Sequence, residues 1–352
     1  MEPSNPTRRV VLQGLALGAM ALPTLGRRLG AAPPPAETPA LAVIYLNGGP
    51  PGLFNSAGSF LTNGAFGVTH DNVRSLGNGL FVDAASYGAL PAAALGHMAS
   101  INFRHGYYQH DLARAALLQT GSRSNLLLLA QAMATPAPVH CAVVNPLSLP
   151  GGVDRDPPRE GGFGLAHVVE LDTIGLTGPD PAAVAEVRAA YGVPAAASAI
   201  GDTAASLCAA ELLLRAGTSV VFTQPLFVGR ADRQIDTHRD ATGVEARRIM
   251  ASILAPLRAF IGRVLALPDR NVVIALVGEF SRTVGESDHE PGGTATVIGR
   301  TVKTGTAAPQ TETGAPPPGA PPIAGLWAYL AAALKVEEHP FGKNPNPELI
   351  IT

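Results

Sequence analysis

Four stretches of the chain are apolar almost throughout: ALAVIYLNGG (40–49), APVHCAVVN (137–145), TSVVFTQ (218–224) and RNVVIALVGEF (270–280). A strand with one wet face alternates apolar and polar residues. Runs without that alternation mark strands covered on both faces, as in a parallel sheet. Helical patterns separate them: RSNLLLLAQAMA near 123–134, DPAAVAEVRAAYG near 180–192, GDTAASLCAAELLLRAG near 201–217 and GVEARRIMASILAPLRAFIGRVLAL near 243–267. The third has Asp202 and Thr203 as candidate N-caps and ends at Gly217, a natural C-cap. IAGLWAYLAAALKV (323–336) reads as a C-terminal helix. Strands alternating with helices predict an α/β fold with a mainly parallel sheet covered on both faces.

The organisation reads as one domain over 40–352, preceded by residues 1–39 of different character. The Pro/Gly/Thr-rich segment 304–322 predicts an irregular surface excursion. In such sheets ligands bind beyond the carboxyl ends of strands. That directs attention to NGGPPGLFNSAGSF, RADRQIDTHRD and GEFSRTVGESDHEPGG, the loops after the first, third and fourth apolar strands.

Composition narrows the function. The net charge of −2 leaves no basic footprint, and aromatic residues make up only 5%. Nucleic acid is therefore not an expected partner. In TRRVVLQGLALGAMALPTLG, Arg8 and Arg9 precede an uncharged apolar stretch from Val10 to Gly26. It is short for a membrane span, and Gly and Pro interrupt it. A paired arginine before a modest apolar region looks like a twin-arginine export signal, with small residues and a Pro-rich spacer behind it. The expected location is periplasmic or secreted, with no membrane span once the leader is removed. Cys141 and Cys208 lie in apolar surroundings and read as small buried hydrophobes; sequence leaves open whether they pair.

The chemistry concentrates at two strand ends. Asp236 and His238 are two apart, so an extended backbone points both to one face. Asp288 and His289 are adjacent, in a loop that Gly285 and Gly292–Gly293 can bend. Two such pairs supply a mixed oxygen and nitrogen shell for a divalent ion, Zn or similar, with Mn, Ca and Mg not excluded. Glu279, Ser281 and Arg282 add an acid, a hydroxyl and a fixed cation. Arg282 suits an oxyanion such as phosphate or sulfate, or else a salt bridge to Glu279 or Glu286.

These residues also carry a resemblance. VVIALVGEFSRTVGESDHEPGG is similar to the strand, Ser-Glu-Phe-Gly-Arg-Thr segment and Asp-His pair of the domain of unknown function 1501 family. Those are exported relatives of the alkaline phosphatase and sulfatase superfamily. RQIDTH resembles that family's Trp-Asp-Thr-His element, and LAVIYLNGGPPGLFN its first strand and Gly-Gly loop. RHGYYQHDLARAALLQTG (104–121) and REGGFGLAHVVE resemble its histidine-rich segment and glycine-rich middle loop, in the same order along the chain. The resemblance implies an alkaline-phosphatase-like three-layer α/β/α fold with a metal site at the carboxyl edge of the sheet. It implies Asp236, His238, Asp288 and His289 as ligands, with Glu279, Arg282 and His110 as the catalytic or substrate-contacting groups. His105 falls in the same segment as His110. The sequence departs from the family at Asn47, where a catalytic relative offers an Asp, at Ile235 and at Glu290; no Cys-x-Pro-x-Arg occurs. Ser56, Ser59 and Ser281 are nucleophile candidates with nothing to separate them.

Two functional expectations follow. One is an exported metal-dependent hydrolase of a phosphate or sulfate ester, with a small anionic ester or a sulfated or phosphorylated polymer as substrate. The other is a catalytically degenerate exported protein that keeps the fold and serves in binding or assembly.

Overall fold

The computed structural model describes residues 37–137, 139–144, 165–171, 181–227, 234–284 and 288–351. Residues 1–36, where a leader is expected, and most of the expected glycine-rich middle loop (159–164) lie outside the described residues. The first strand begins at Thr38.

In chain order the strands are β1 (Thr38–Tyr45), β2 (Val73–Gly77), β3 (Leu80–Asp83), β4 (Met98–Arg104), β5 (Gln119–Thr120), β6 (Arg123–Ser124), β7 (Cys141–Val144), β8 (Leu165–Val168), β9 (Val220–Thr223), β10 (Arg270–Val277), β11 (Gly292–Gly299) and β12 (Gly305–Thr306). The helices are α1 (Ala92–Leu95), α2 (His110–Leu118), α3 (Asn125–Met133), α4 (Pro181–Ala190), α5 (Thr203–Arg215), α6 (Val244–Leu265) and α7 (Ile323–Ala333). Eight strands form one sheet in the order β12-β4-β11-β10-β1-β9-β7-β8. β10, β1, β9, β7 and β8 run parallel, and these include the four strands read as apolar runs. β11 is antiparallel to both β10 and β4, and β12 is parallel to β4. The fold is a mixed α/β one around a mainly parallel sheet.

β1 shows why the apolar runs lack alternation. Ala40, Ala42 and Ile44 belong to one buried core with α5 and α6, whereas Leu41, Val43 and Tyr45 belong to a second core with α3 and α7. Each face of the sheet therefore has its own helical layer, and an apolar residue is favoured at every position. Cys208 lies in the first core and Cys141 in the second, so the sheet separates these two free thiols. At the start of α5 the Asp202 carboxylate accepts the Ala205 N–H at 2.7 Å, a cap of the expected kind.

Two strands depart from the apolar-run pattern. β11 carries Gly292 and Gly293, which read as loop, followed by Thr294 and Thr296; all eight of its residues are buried. Its threonines are buried because Asn55 pairs with both: Nδ2 donates to Thr296 Oγ1 at 2.9 Å, and Thr294 Oγ1 donates to Asn55 Oδ1 at 2.8 Å. Gly292 and Gly293 thus belong to a strand and do not bend a loop. β4 places Ser100 and Asn102 opposite Thr296 and Thr294. The 304–322 excursion is irregular apart from β12, but it packs as a strap. Gln310 is 2% exposed, and Val284 N–H donates to the Thr313 carbonyl at 2.8 Å. Among the described residues, no helix is long and apolar enough to cross a membrane.

Candidate metal centre

The register brings four strand termini to one edge of the sheet. β1 and β10 pair from Thr38↔Arg270 to Tyr45↔Val277, so both end there. β11 is antiparallel and begins there, with Gly292 opposite Arg104, the last residue of β4. Beyond β10 the chain turns back on itself. Ser281 N–H donates to the Gly292 carbonyl at 2.7 Å, Glu290 N–H to Ser281 at 3.1 Å and Thr283 N–H to Asp288 at 3.1 Å. This short antiparallel ribbon sets His289 across from Arg282.

Gly48 and Gly49 allow the remaining elements to close in. Both have positive φ, +97° and +77°, a region that favours glycine. A Cβ on Gly48 would lie 2.8 Å from the Asp236 Cβ, and one on Gly49 would lie 2.7 Å from the Phe280 Cβ. Arg282 is completely buried in this contact. Its guanidinium bonds to the Asp236 carboxylate and the Gly48 carbonyl, and its Nε donates to the Gly49 carbonyl at 3.3 Å. Burial lowers the Arg282 pKa, opposed by the Asp236 and Glu279 charges.

Glu279, with no exposed surface, joins the floor of the site to its histidines. Tyr45 Oη donates to its Oε2 at 2.6 Å, Gly48 N–H donates to both oxygens at 3.0 and 3.1 Å, and His110 Nδ1 lies 2.8 Å from Oε1. Burial alone would raise this carboxyl; the His110 and Tyr45 hydrogen bonds outweigh it and hold the group below its ordinary value. Arg114, one helical turn after His110 on α2, donates from Nε to Tyr45 Oη at 3.2 Å and from Nη2 to Asn47 Oδ1 at 3.2 Å.

Three side chains converge above this floor. His110, Asp236 and His289 each offer one ligand-type atom, and these atoms lie within 4.8 Å of one another. His110 Nε2 stands 3.3 Å from Asp236 Oδ2. Hydrogen bonds to Asp236 and Glu279 raise the His110 pKa to about 9. Burial would raise Asp236, but the His110 hydrogen bond and the Arg282 and His238 charges lower it. His289 differs in kind. Its Nδ1 lies 2.9 Å from the Tyr108 carbonyl, which can only accept, so Nδ1 carries the hydrogen. Its Nε2 therefore presents a lone pair, and that atom is buried without a hydrogen-bond partner. Burial lowers the His289 pKa and favours the neutral ring. Phe280 stacks on that ring at 4.2 Å and 6°.

The residues singled out from sequence separate here. Asp236 and His289 stand in the cluster, and His110 stands with them. His238 sits at the rim: its Nε2 is 3.0 Å from Asp236 Oδ1, and its side chain is 53% exposed. Asp288 is exposed, and its Oδ1 accepts the His289 N–H at 2.8 Å. Glu279 contacts His110 from below, and Arg282 holds Asp236 from the buried side. His105 is occupied at both nitrogens, with Nδ1 accepting from Tyr107 N–H at 3.1 Å and Nε2 donating to the Glu279 carbonyl at 2.6 Å. Ser281 is buried and donates to the Gly292 carbonyl at 3.1 Å. Tyr45 and Arg114 were not legible as site residues. The one signal for Tyr45 is a hydroxyl at the end of an apolar strand, and for Arg114 its i,i+4 spacing from His110. No family model matches the chain, and neither does any curated protein.

Proposed function

We propose that His110, Asp236 and His289 form a divalent metal site, and that the protein is an exported metal-dependent hydrolase of phosphate or sulfate esters. The observation that supports it is the orphaned His289 Nε2. A buried polar atom left unpaired is unfavourable by about 1–3 kcal/mol, and a cation removes that penalty. Two imidazoles and a carboxylate form a three-ligand set of the type zinc uses where a position stays open. Both histidines have their other nitrogen engaged, His110 by Glu279 and His289 by the Tyr108 carbonyl, which fixes ring orientation and tautomer. The donor set therefore fits such an ion.

A bound divalent cation supplies Lewis-acid polarisation of the ester oxyanion and makes a water more acidic. The protein's own groups do the rest. Arg282 and the Gly48–Gly49 turn hold Asp236 in place, and Glu279 holds His110. His238, exposed at the rim and joined to Asp236 through Nε2, is placed to pass a proton between the site and solvent. The alkaline-phosphatase-like form of the fold and membership of the domain of unknown function 1501 family belong to this proposal. The ordered motifs support both, as does the position of the cluster at the carboxyl edge of a mainly parallel sheet. The twin-arginine leader supports export.

The second reading, a catalytically degenerate binding protein, draws on Asn47. This residue stands two positions beyond β1, where the resemblance expects a carboxylate as a further, charged ligand, and its amide oxygen is taken by Arg114. The experiment is turnover of an aryl phosphate and an aryl sulfate by zinc-loaded protein, with and without chelator. Chelator-sensitive hydrolysis of either ester supports the enzyme. Stoichiometric zinc with no turnover of either supports the binding protein.

A further inference from the structure

Six large apolar side chains are exposed among the described residues, and Tyr107, Tyr108 and Leu112 are three of them. The other three, Val169, Val244 and Ile351, fall in separate segments. The clustered ones occupy the connection from β4 into α2, the same stretch that contributes His105 and His110. All three belong to one short stretch of chain that also supplies groups of the site, which sets them apart from apolar side chains exposed singly.

Their exposure does not come from a frayed loop. His105 N–H and Gly106 N–H both donate to the Pro291 carbonyl, at 3.0 and 3.1 Å. Tyr107 N–H donates to His105 Nδ1, and the Tyr108 carbonyl accepts from His289. The backbone under both tyrosines is thus tied to the histidines of the site, while their side chains are 43% and 56% exposed. The Tyr107 ring stacks on His105 with centroids 6.2 Å apart at 19°. That contact orients the ring and occupies one of its faces.

We infer that Tyr107 and Tyr108 form a platform for a flat aromatic group carried by the ligand of the adjacent centre, so that aryl esters are preferred over alkyl esters. The inference rests on the metal reading proposed above. Three side chains are far too few for a protein partner, which buries about 800 Å² on each side of a stable interface. They suffice for one ring, and stacked or edge-to-face aromatic contact adds affinity beyond burial alone.

The test is calorimetric titration of zinc-loaded protein with phenylphosphonate and with methylphosphonate, two non-hydrolysable anions that differ only in the ring. The expected result is roughly tenfold tighter binding of phenylphosphonate. Replacing Tyr107→Ala and Tyr108→Ala together should bring the two phosphonate affinities of zinc-loaded protein to the same value, the loss falling on phenylphosphonate alone. Equal affinities on zinc-loaded protein would overturn the platform alone, and so would a preference that survives the double substitution. Failure to bind zinc would overturn the metal reading, and the platform with it.

Discussion

His110 Nδ1 lies 2.8 Å from Oε1 of Glu279, a carboxylate with no exposed surface. The pair explains why a buried acid is tolerated at the end of an apolar strand: it accepts from Tyr45, Gly48 and His110 at once. In the proposed centre this carboxylate orients a ligand without being one. Glu279→Gln keeps the shape and one acceptor but loses the charge. Zinc affinity should fall roughly 10–100-fold, as for other outer partners of a metal-bound histidine. Calorimetric zinc titration checks it, with circular dichroism showing that the fold is retained.

The same pair sets a pH dependence. In the metal-free protein the His110 pKa is raised by hydrogen bonding to Asp236 and Glu279, from 6.5 to about 9. The stabilisation from its imidazolium is therefore complete below about 6.5 and is lost as pH rises through about 9. Metal binding has the opposite sign, because the ion must displace a proton from His110. Zinc affinity should climb with pH by about tenfold per unit and level off near the His110 pKa. Chelator-buffered titrations and melting curves over this range should diverge in that way.

Gly48→Ala should be damaging out of proportion to its size. The new methyl would meet Asp236 at 2.8 Å and occupy a backbone at φ +97°. The expected loss is about 1–3 kcal/mol of stability from the backbone alone, together with weakened zinc binding from the displaced Asp236. Melting temperature and zinc titration of the same variant measure both effects.

Arg282→Lys separates two roles for this cation. Arg282 is buried and bonds to Asp236 and to the carbonyls of Gly48 and Gly49, so a lysine loses the planar fork that makes these contacts together. The expected outcome is a drop in melting temperature and in zinc affinity. A variant that folds and binds zinc normally but loses only phosphonate affinity would show that Arg282 contacts the anion instead.

Much of the sheet was legible because burial on both faces forces an unbroken apolar run, as in β1, β9 and β10. β11 was not, since its threonines are satisfied by Asn55, a partner more than 200 residues away. With β11 and β4 unseen, no local pattern set His110 against Asp236; the resemblance grouped His110 with the site as a catalytic residue, and the ligands read as two neighbouring Asp/His pairs. Both pairs do lie at the expected edge. Within the second pair the ribbon between 281–283 and 288–292 directs His289 inward, while the Asp288 carboxylate accepts the His289 backbone N–H. Such a division depends on long-range register and has no local sequence signal.

The most direct test is elemental analysis of the purified chain from Glu37 onward, beside His289→Ala and His110→Ala. The account predicts about one equivalent of divalent metal in the parent protein, lost in both variants while each remains folded. A well-folded parent without bound metal, or metal that persists when both histidines are removed, would contradict it.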